Sequence, residues 1–104
     1  MIYLASVEVE PLSGCQMPAG QIAAFVYVLI PAGSKREATQ KLRAALKEDR
    51  YGIIDLEFVA KYGSFSWEKE EDQIEYDRLA KRAALHNDVV YGTFYSWTNP
   101  DSSA

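Results

Sequence analysis

Residues 22–30 read Ile22-Ala23-Ala24-Phe25-Val26-Tyr27-Val28-Leu29-Ile30, nine consecutive apolar or aromatic side chains without a charge. The run is far shorter than the roughly 20 residues a membrane helix needs. Its β-branched and aromatic content favours extended backbone. Side chains of a strand alternate between two faces, so a strand that is apolar at every position is buried on both. The stretch therefore predicts a central strand covered on both sides.

The segments around it read as its neighbours. Upstream, residues 2–10 alternate, with Tyr3, Ala5, Val7 and Val9 on one face and Ile2, Leu4, Ser6, Glu8 and Glu10 on the other, the pattern of a half-buried strand. Residues 11–21, with two prolines and two glycines, read as a loop. Downstream, Ala32-Gly33 turns the chain, and Ser34 with Glu37 forms an S-x-x-E capping box. Ala38, Leu42, Ala45 and Leu46 then recur at helical spacing, predicting a helix over 34–49 that stops near Gly52. Residues 53–62 alternate again, with Ile54, Leu56, Phe58, Ala60 and Tyr62 opposite Asp55, Glu57 and Lys61.

Gly63-Ser64 is a turn signal. Residues 65–67 read either as a short strand or as the lead into the next helix, which spans 68–86 with Ile74, Leu79, Ala80 and Ala83 as its buried stripe and ends at Asn87-Asp88. Residues 89–97 read as the last strand, and a polar tail follows from about 98. The order is β-β-α-β-α-β in one domain spanning 1–104. This predicts an α+β fold: a two-layer sandwich of a mixed sheet with two helices on one face, ferredoxin-like or related. A small three-layer α/β fold is the alternative.

Composition excludes several classes of function. The chain is 48% hydrophobic, carries a net charge of −4 and has a pI near 4.9. The apolar content is that of a packed chain, and the acidity disfavours nucleic acid and anionic membrane surfaces alike. The N-terminus has no basic stretch ahead of an apolar one, so no secretory signal is expected. One cysteine, Cys15, allows no internal disulfide, which fits a cytoplasmic location.

Catalytic signals are thin. His86, the sole histidine, falls at the end of the second predicted helix, where a cation caps the last carbonyls. Cys15 has no Lys, Arg or His within residues 11–21 to lower its pKa. Asp55 and Glu57 share a strand face and read as solubilising groups, with a carboxylate pair as the functional alternative. One Cys and one His give no ligand spacing for structural zinc or iron, so no metal or other cofactor is expected. No phosphate-cradling glycine loop is present.

Two surfaces remain. Glu68, Glu70, Glu71, Asp72, Glu75 and Asp77 crowd the first half of the second helix, more charge than dipole compensation needs, which suits a basic protein partner. Phe25, Tyr27, Tyr91, Tyr95 and Trp97 share one face by alternation. If two helices cover only the opposite face, these aromatics stay exposed and suit self-association as a homodimer. The sequence thus predicts a non-enzymatic, acidic binding or inhibitor-type protein. The alternative is a small enzyme or small-molecule binder using the aromatic face or a pocket near Cys15 and His86.

Overall fold

The structure is a computed structural model and describes residues 1–15 and 20–98. Residues 16–19 of the predicted loop, and the tail beyond 98, lie outside the described residues. Its strands are β1 (Ile2–Pro11), β2 (Gln21–Pro31), β3 (Tyr51–Lys61), β4 (Val90–Tyr91) and β5 (Tyr95–Thr98). Its helices are α1 (Lys35–Glu48) and α2 (Glu70–His86), and a 3-10 turn occupies Tyr62–Ser64. Residues 65–67 form neither strand nor helix.

The α+β class holds, with five strands in one sheet and two helices among the described residues. Every strand pair is antiparallel, so the expected mixed sheet is corrected. The strand order is β3-β1-β2-β4, with β5 also on β2. It is built outward from a β1–β2 hairpin, so a ferredoxin-like order is not confirmed. β2 sits at the centre, as its unbroken apolar run requires, with β1 on one side and β4 and β5 on the other.

The placement of both helices on one face is also corrected. Tyr3, Ala5, Val7 and Val9 of β1 and Ala24, Val26, Val28 and Ile30 of β2 pack with Ala38, Leu42 and Leu46 of α1. Leu4 and Leu29, which alternate to the other side and pair in register, pack instead with Tyr76, Ala80 and Ala83 of α2. Each helix therefore takes its own face, and β2 is buried on both sides over Val28 to Ile30 within one chain. Full burial of Leu42 and Leu46 stabilises the α1 side by about 1.5–3 kcal/mol each.

The ends of the helices are set locally. At the start of α1, Ser34 Oγ accepts from the Glu37 amide at 3.1 Å. Glu37 Oε2 reaches one residue further back than a standard capping box and accepts from the Gly33 amide at 2.7 Å. That bond, followed by the nearby Lys41 ammonium, holds the Glu37 carboxyl below its usual range. α1 ends before the predicted stop. Arg50, with φ of 65°, makes the turn, and Gly52 lies inside β3. A Cβ at Gly52 would meet Glu10 Cγ at 3.1 Å, a close contact that the exposed Glu10 side chain would have to relieve by a small shift. α2 ends at Asn87 in the left-handed conformation, φ 49°, as predicted.

Two irregularities reassign side chains between faces. Along β1–β3 the register slips between Ser6↔Phe58 and Val7↔Leu56, and again between Glu8↔Asp55 and Val9↔Ile53. Each slip leaves a residue, Glu57 and Ile54, outside the pairing. Phe58 thus joins the α2 side while Leu56 and Ile53 join the α1 side, against simple alternation. The predicted last strand is likewise split into β4 and β5 by Gly92, Thr93 and Phe94. Gly92 sits against α2, where a Cβ would lie 2.8 Å from Tyr76 Cε1.

Candidate binding cleft

The α2 side of the sheet is closed at one end and open at the other. Where Tyr76, Ala80 and Ala83 press on Leu4 and Leu29, it is core. Toward the other end of β2, past the N-terminal end of α2, the sheet emerges into a cleft of about 620 Å³. β2 contributes Phe25 and Tyr27 to it, β1 Ser6, β3 Glu57 and β5 Tyr95. The far wall is Phe65 to Lys69, together with Asp72 from the first turn of α2.

The wall is held by aromatic packing. Trp67 stacks on Tyr76 at 4.3 Å between ring centroids, with 11° between planes. The Tyr27 ring stands nearly perpendicular to both, at 5.1 and 5.7 Å between centroids. Phe65 meets Trp67 edge-on at 4.6 Å and stacks on Phe58 at 5.8 Å. Such pairs contribute roughly 0.5–1.5 kcal/mol each beyond buried area. The Tyr76 hydroxyl is buried with no hydrogen-bond partner among the described residues. The Tyr62 hydroxyl donates to Asp77 Oδ1 at 2.5 Å and Gln73 Nε2 donates to the same oxygen at 2.9 Å, tying the 3-10 turn to α2 just ahead of this wall.

The two surfaces read from the sequence meet here. Of the acidic set, Glu68 and Asp72 line the cleft; of the aromatic set, Phe25, Tyr27 and Tyr95 do. Phe25 and Tyr95 face each other in register across β2 and β5. Trp97 borders them, 5.5 Å from Phe25. Phe25 and Tyr95 are 38% and 56% exposed, so these rings are available for contact. The Tyr27 phenol is pushed above its usual value, first by burial and then by the charge of Glu57, with Tyr95 and Asp72 adding to it. The carboxylates of Glu57 and Asp72 line the cleft together with Tyr27.

Other members of those sets are placed elsewhere. Tyr91 turns to the α1 side, because the split at Gly92 resets the alternation, and donates to Asp49 Oδ2 at 2.8 Å. Burial and this bond push its phenol up. Asp77 is engaged with Tyr62 and Gln73, whose hydrogen bonds hold its carboxyl below the usual range. Glu70 and Glu71 are exposed in the first turn of α2, and Glu75 is half-buried; none of the three lines the cleft. The expected stripe on α2 is corrected as well: Tyr76 takes the place given to Ile74, which is 63% exposed.

Cys15 and His86 do not form a pair. Cys15 is half-buried beside Tyr51, whose phenol burial and the Cys15 contact push up to about 12, whereas His86 is exposed at the end of α2. Among the described residues no group of three His, Cys, Asp or Glu side chains is placed to hold a metal ion. Sequence reading missed Phe65, Trp67 and Tyr76. The available signal was the spacing of Tyr76 with Ala80 and Ala83, which marks one helical face.

No helix among the described residues is long and apolar enough to cross a membrane. A scan against protein-family models, a search of the curated proteins and a search of the solved structures each return no match.

Proposed function

We propose that this chain is a non-enzymatic binding protein that recognises a basic protein partner through the cleft beside the N-terminal end of α2. The observation that carries the reading is the convergence of two separate sequence features, the acidic start of α2 and the aromatic residues of β2 and β5, on one concave surface. Aromatic rings supply contact area at low entropic cost, and carboxylates at the rim speed encounter with a basic surface. Catalysis would call for a nucleophile or a base with an orienting partner; the cleft offers carboxylates around rings and no such pair. A chain with one cysteine and no internal disulfide suits work in the cytoplasm.

The homodimer is the second reading. Each face of β2 packs against a helix within the chain except at its Phe25 end, so self-association now rests on Phe25, Tyr95 and Trp97. A second copy would bring its own acidic cleft to the same place, which favours a basic partner over a copy of this chain. The test is capture on immobilised protein from cell extract, comparing wild type with Tyr95→Ala/Asp72→Asn and with the control Arg43→Ala on exposed α1. A protein retained by wild type and the control but lost by the cleft variant is the expected result. Loss by the control alone would place the contact on α1 and refute the cleft as the docking site. Wild-type protein that runs as a dimer in light scattering, and as a monomer after Tyr95→Ala, would replace the basic partner by a second copy.

A further inference from the structure

Resting on the reading of the cleft as a docking site, we infer that the group it takes is the guanidinium of an arginine side chain on the partner. The charge balance around the cleft sets the sign of the ligand. Glu57, Glu68 and Asp72 line it against a single cation, Lys69. The same sheet face continues this charge: Glu8 lies opposite Phe25 on one side and opposite Asp55 on the other. Like charges directly opposed across strands are destabilising. Neither Glu8 nor Asp55 has an ion pair, the only one among the described residues being Lys41 with Glu37 on α1. A face that carries this uncompensated repulsion beside exposed rings is complementary to a cation.

The kind of cation follows from what the walls offer. The carboxylates do not converge on a point, as a bare metal ion requires. They are spread around rings, so the ligand must have both an apolar face and several hydrogen-bond donors. A quaternary ammonium has no donors and would leave the carboxylates without partners. A lysine ammonium has donors but is compact and strongly hydrated. The guanidinium is planar, weakly hydrated, stacks on aromatic faces and presents five N–H donors in a fork that matches carboxylates. Phe25 and Tyr95 supply exposed ring surface, and Glu57 and Asp72, which line the same cleft, supply acceptors. The dipole at the start of α2, which would repel a cation, is offset by Glu70, Glu71 and Asp72 in its first turn.

The experiment is an NMR titration of isotope-labelled protein with three blocked peptides identical except at the central residue: arginine, citrulline, the neutral isostere, and lysine. Inorganic phosphate serves as an anionic probe. The arginine peptide is expected to shift the Trp67 indole and the Phe25 and Tyr95 amides, and to bind about tenfold tighter than the citrulline peptide, with weakening at higher salt. Glu57→Gln and Asp72→Asn should each weaken arginine binding several-fold while leaving the wild-type spectrum outside the cleft, which separates loss of binding from loss of fold. Equal affinity for citrulline would make the cleft a neutral apolar site and overturn the inference, leaving the docking reading intact. Lysine binding as tightly as arginine, phosphate shifting the Lys69 amide in place of any peptide effect, or no cleft shift with any peptide would each overturn it too. The docking reading itself stands or falls on the capture experiment.

Discussion

The two faces of the same sheet are built in opposite ways. On the α1 side, small and branched aliphatic residues of β1 and β2 interlock with Ala38, Leu42 and Leu46. Under α1 that face is fully buried, giving way only at its margin to the half-buried Tyr51, Tyr91 and Phe94, and its helix is fastened at the start by Ser34 and Glu37. On the α2 side the packing is aromatic, and it stops short of the end of the sheet, leaving Phe25 and Tyr95 open to contact. One face is organised around burial; the other stops burying apolar surface where carboxylates begin. The difference teaches where substitutions should be felt as stability and where as recognition.

The largest expected effect is on the closed face. Leu42 is fully buried against the sheet, so Leu42→Ala should cost about 2–5 kcal/mol in urea unfolding while leaving arginine-peptide affinity, measured on the folded fraction, unchanged. A loss below 1 kcal/mol would show that the α1 face is not the main source of stability. The next is at the seam between the faces. Gly92→Ala would put a Cβ within 2.8 Å of Tyr76 Cε1 and 2.9 Å of its hydroxyl, forcing a shift that should cost about 1–3 kcal/mol. Near-ultraviolet circular dichroism should change with it, since Tyr76 carries Trp67. An unchanged spectrum and unchanged stability would mean the seam relaxes freely.

A smaller effect should follow pH. Burial pushes the phenols of Tyr51 and Tyr62 up to about 12, assisted by Cys15 and by Asp77 respectively. A phenol whose folded pKa lies above its unfolded value of about 10 holds its proton more tightly when folded. Its contribution is complete below pH 10 and is lost as pH rises through the folded pKa. Stability should therefore fall between pH 10 and 12, and absorbance near 295 nm should show tyrosines ionising late, only with unfolding. Asp77 works the other way. Its lowered carboxyl contributes above its unfolded pKa of about 3.9 and loses that contribution as pH falls through the folded value. Tyr62→Phe should blunt the acid-side loss.

The smallest effect has the opposite sign. Glu8→Gln removes one member of the opposed Glu8–Asp55 pair, so it should raise stability by roughly 0.2–1 kcal/mol and weaken arginine-peptide binding. A gain in stability with undiminished binding would remove Glu8 from the recognition surface.

Much of the fold was legible because its signals are local. The unbroken apolar run at 22–30 identified the central strand, the Ser34–Glu37 box started α1, and Asn87 ended α2. What alternation could not carry was parity across irregularities. The two slips in β3 send Phe58 and Leu56 to opposite faces, and the split at Gly92 sends Tyr91 away from Tyr95. Those breaks depend on neighbouring strands and on the bulk of Tyr76, which no short window of sequence contains. The same reason explains the helices. Their apolar stripes were visible, but which face each would take depends on how the chain crosses β1, and the assumption of a shared face made the aromatics look more exposed than they are. The cleft is half legible: Glu68 and Asp72 belong to one sequence feature and Phe25, Tyr27 and Tyr95 to another, and only folding joins them.

The division of labour between the faces is tested most directly by the urea unfolding midpoint of wild type and Tyr95→Ser, each measured with and without a millimolar arginine peptide. Tyr95 is 56% exposed, so the variant alone should unfold within about 0.5 kcal/mol of wild type. The peptide, binding only the folded state, should raise the wild-type midpoint and leave that of Tyr95→Ser where it was. A variant destabilised as strongly as Leu42→Ala, with a wild-type midpoint indifferent to the peptide, would show instead that the aromatic end of the sheet is core and that the cleft recognises nothing of this kind.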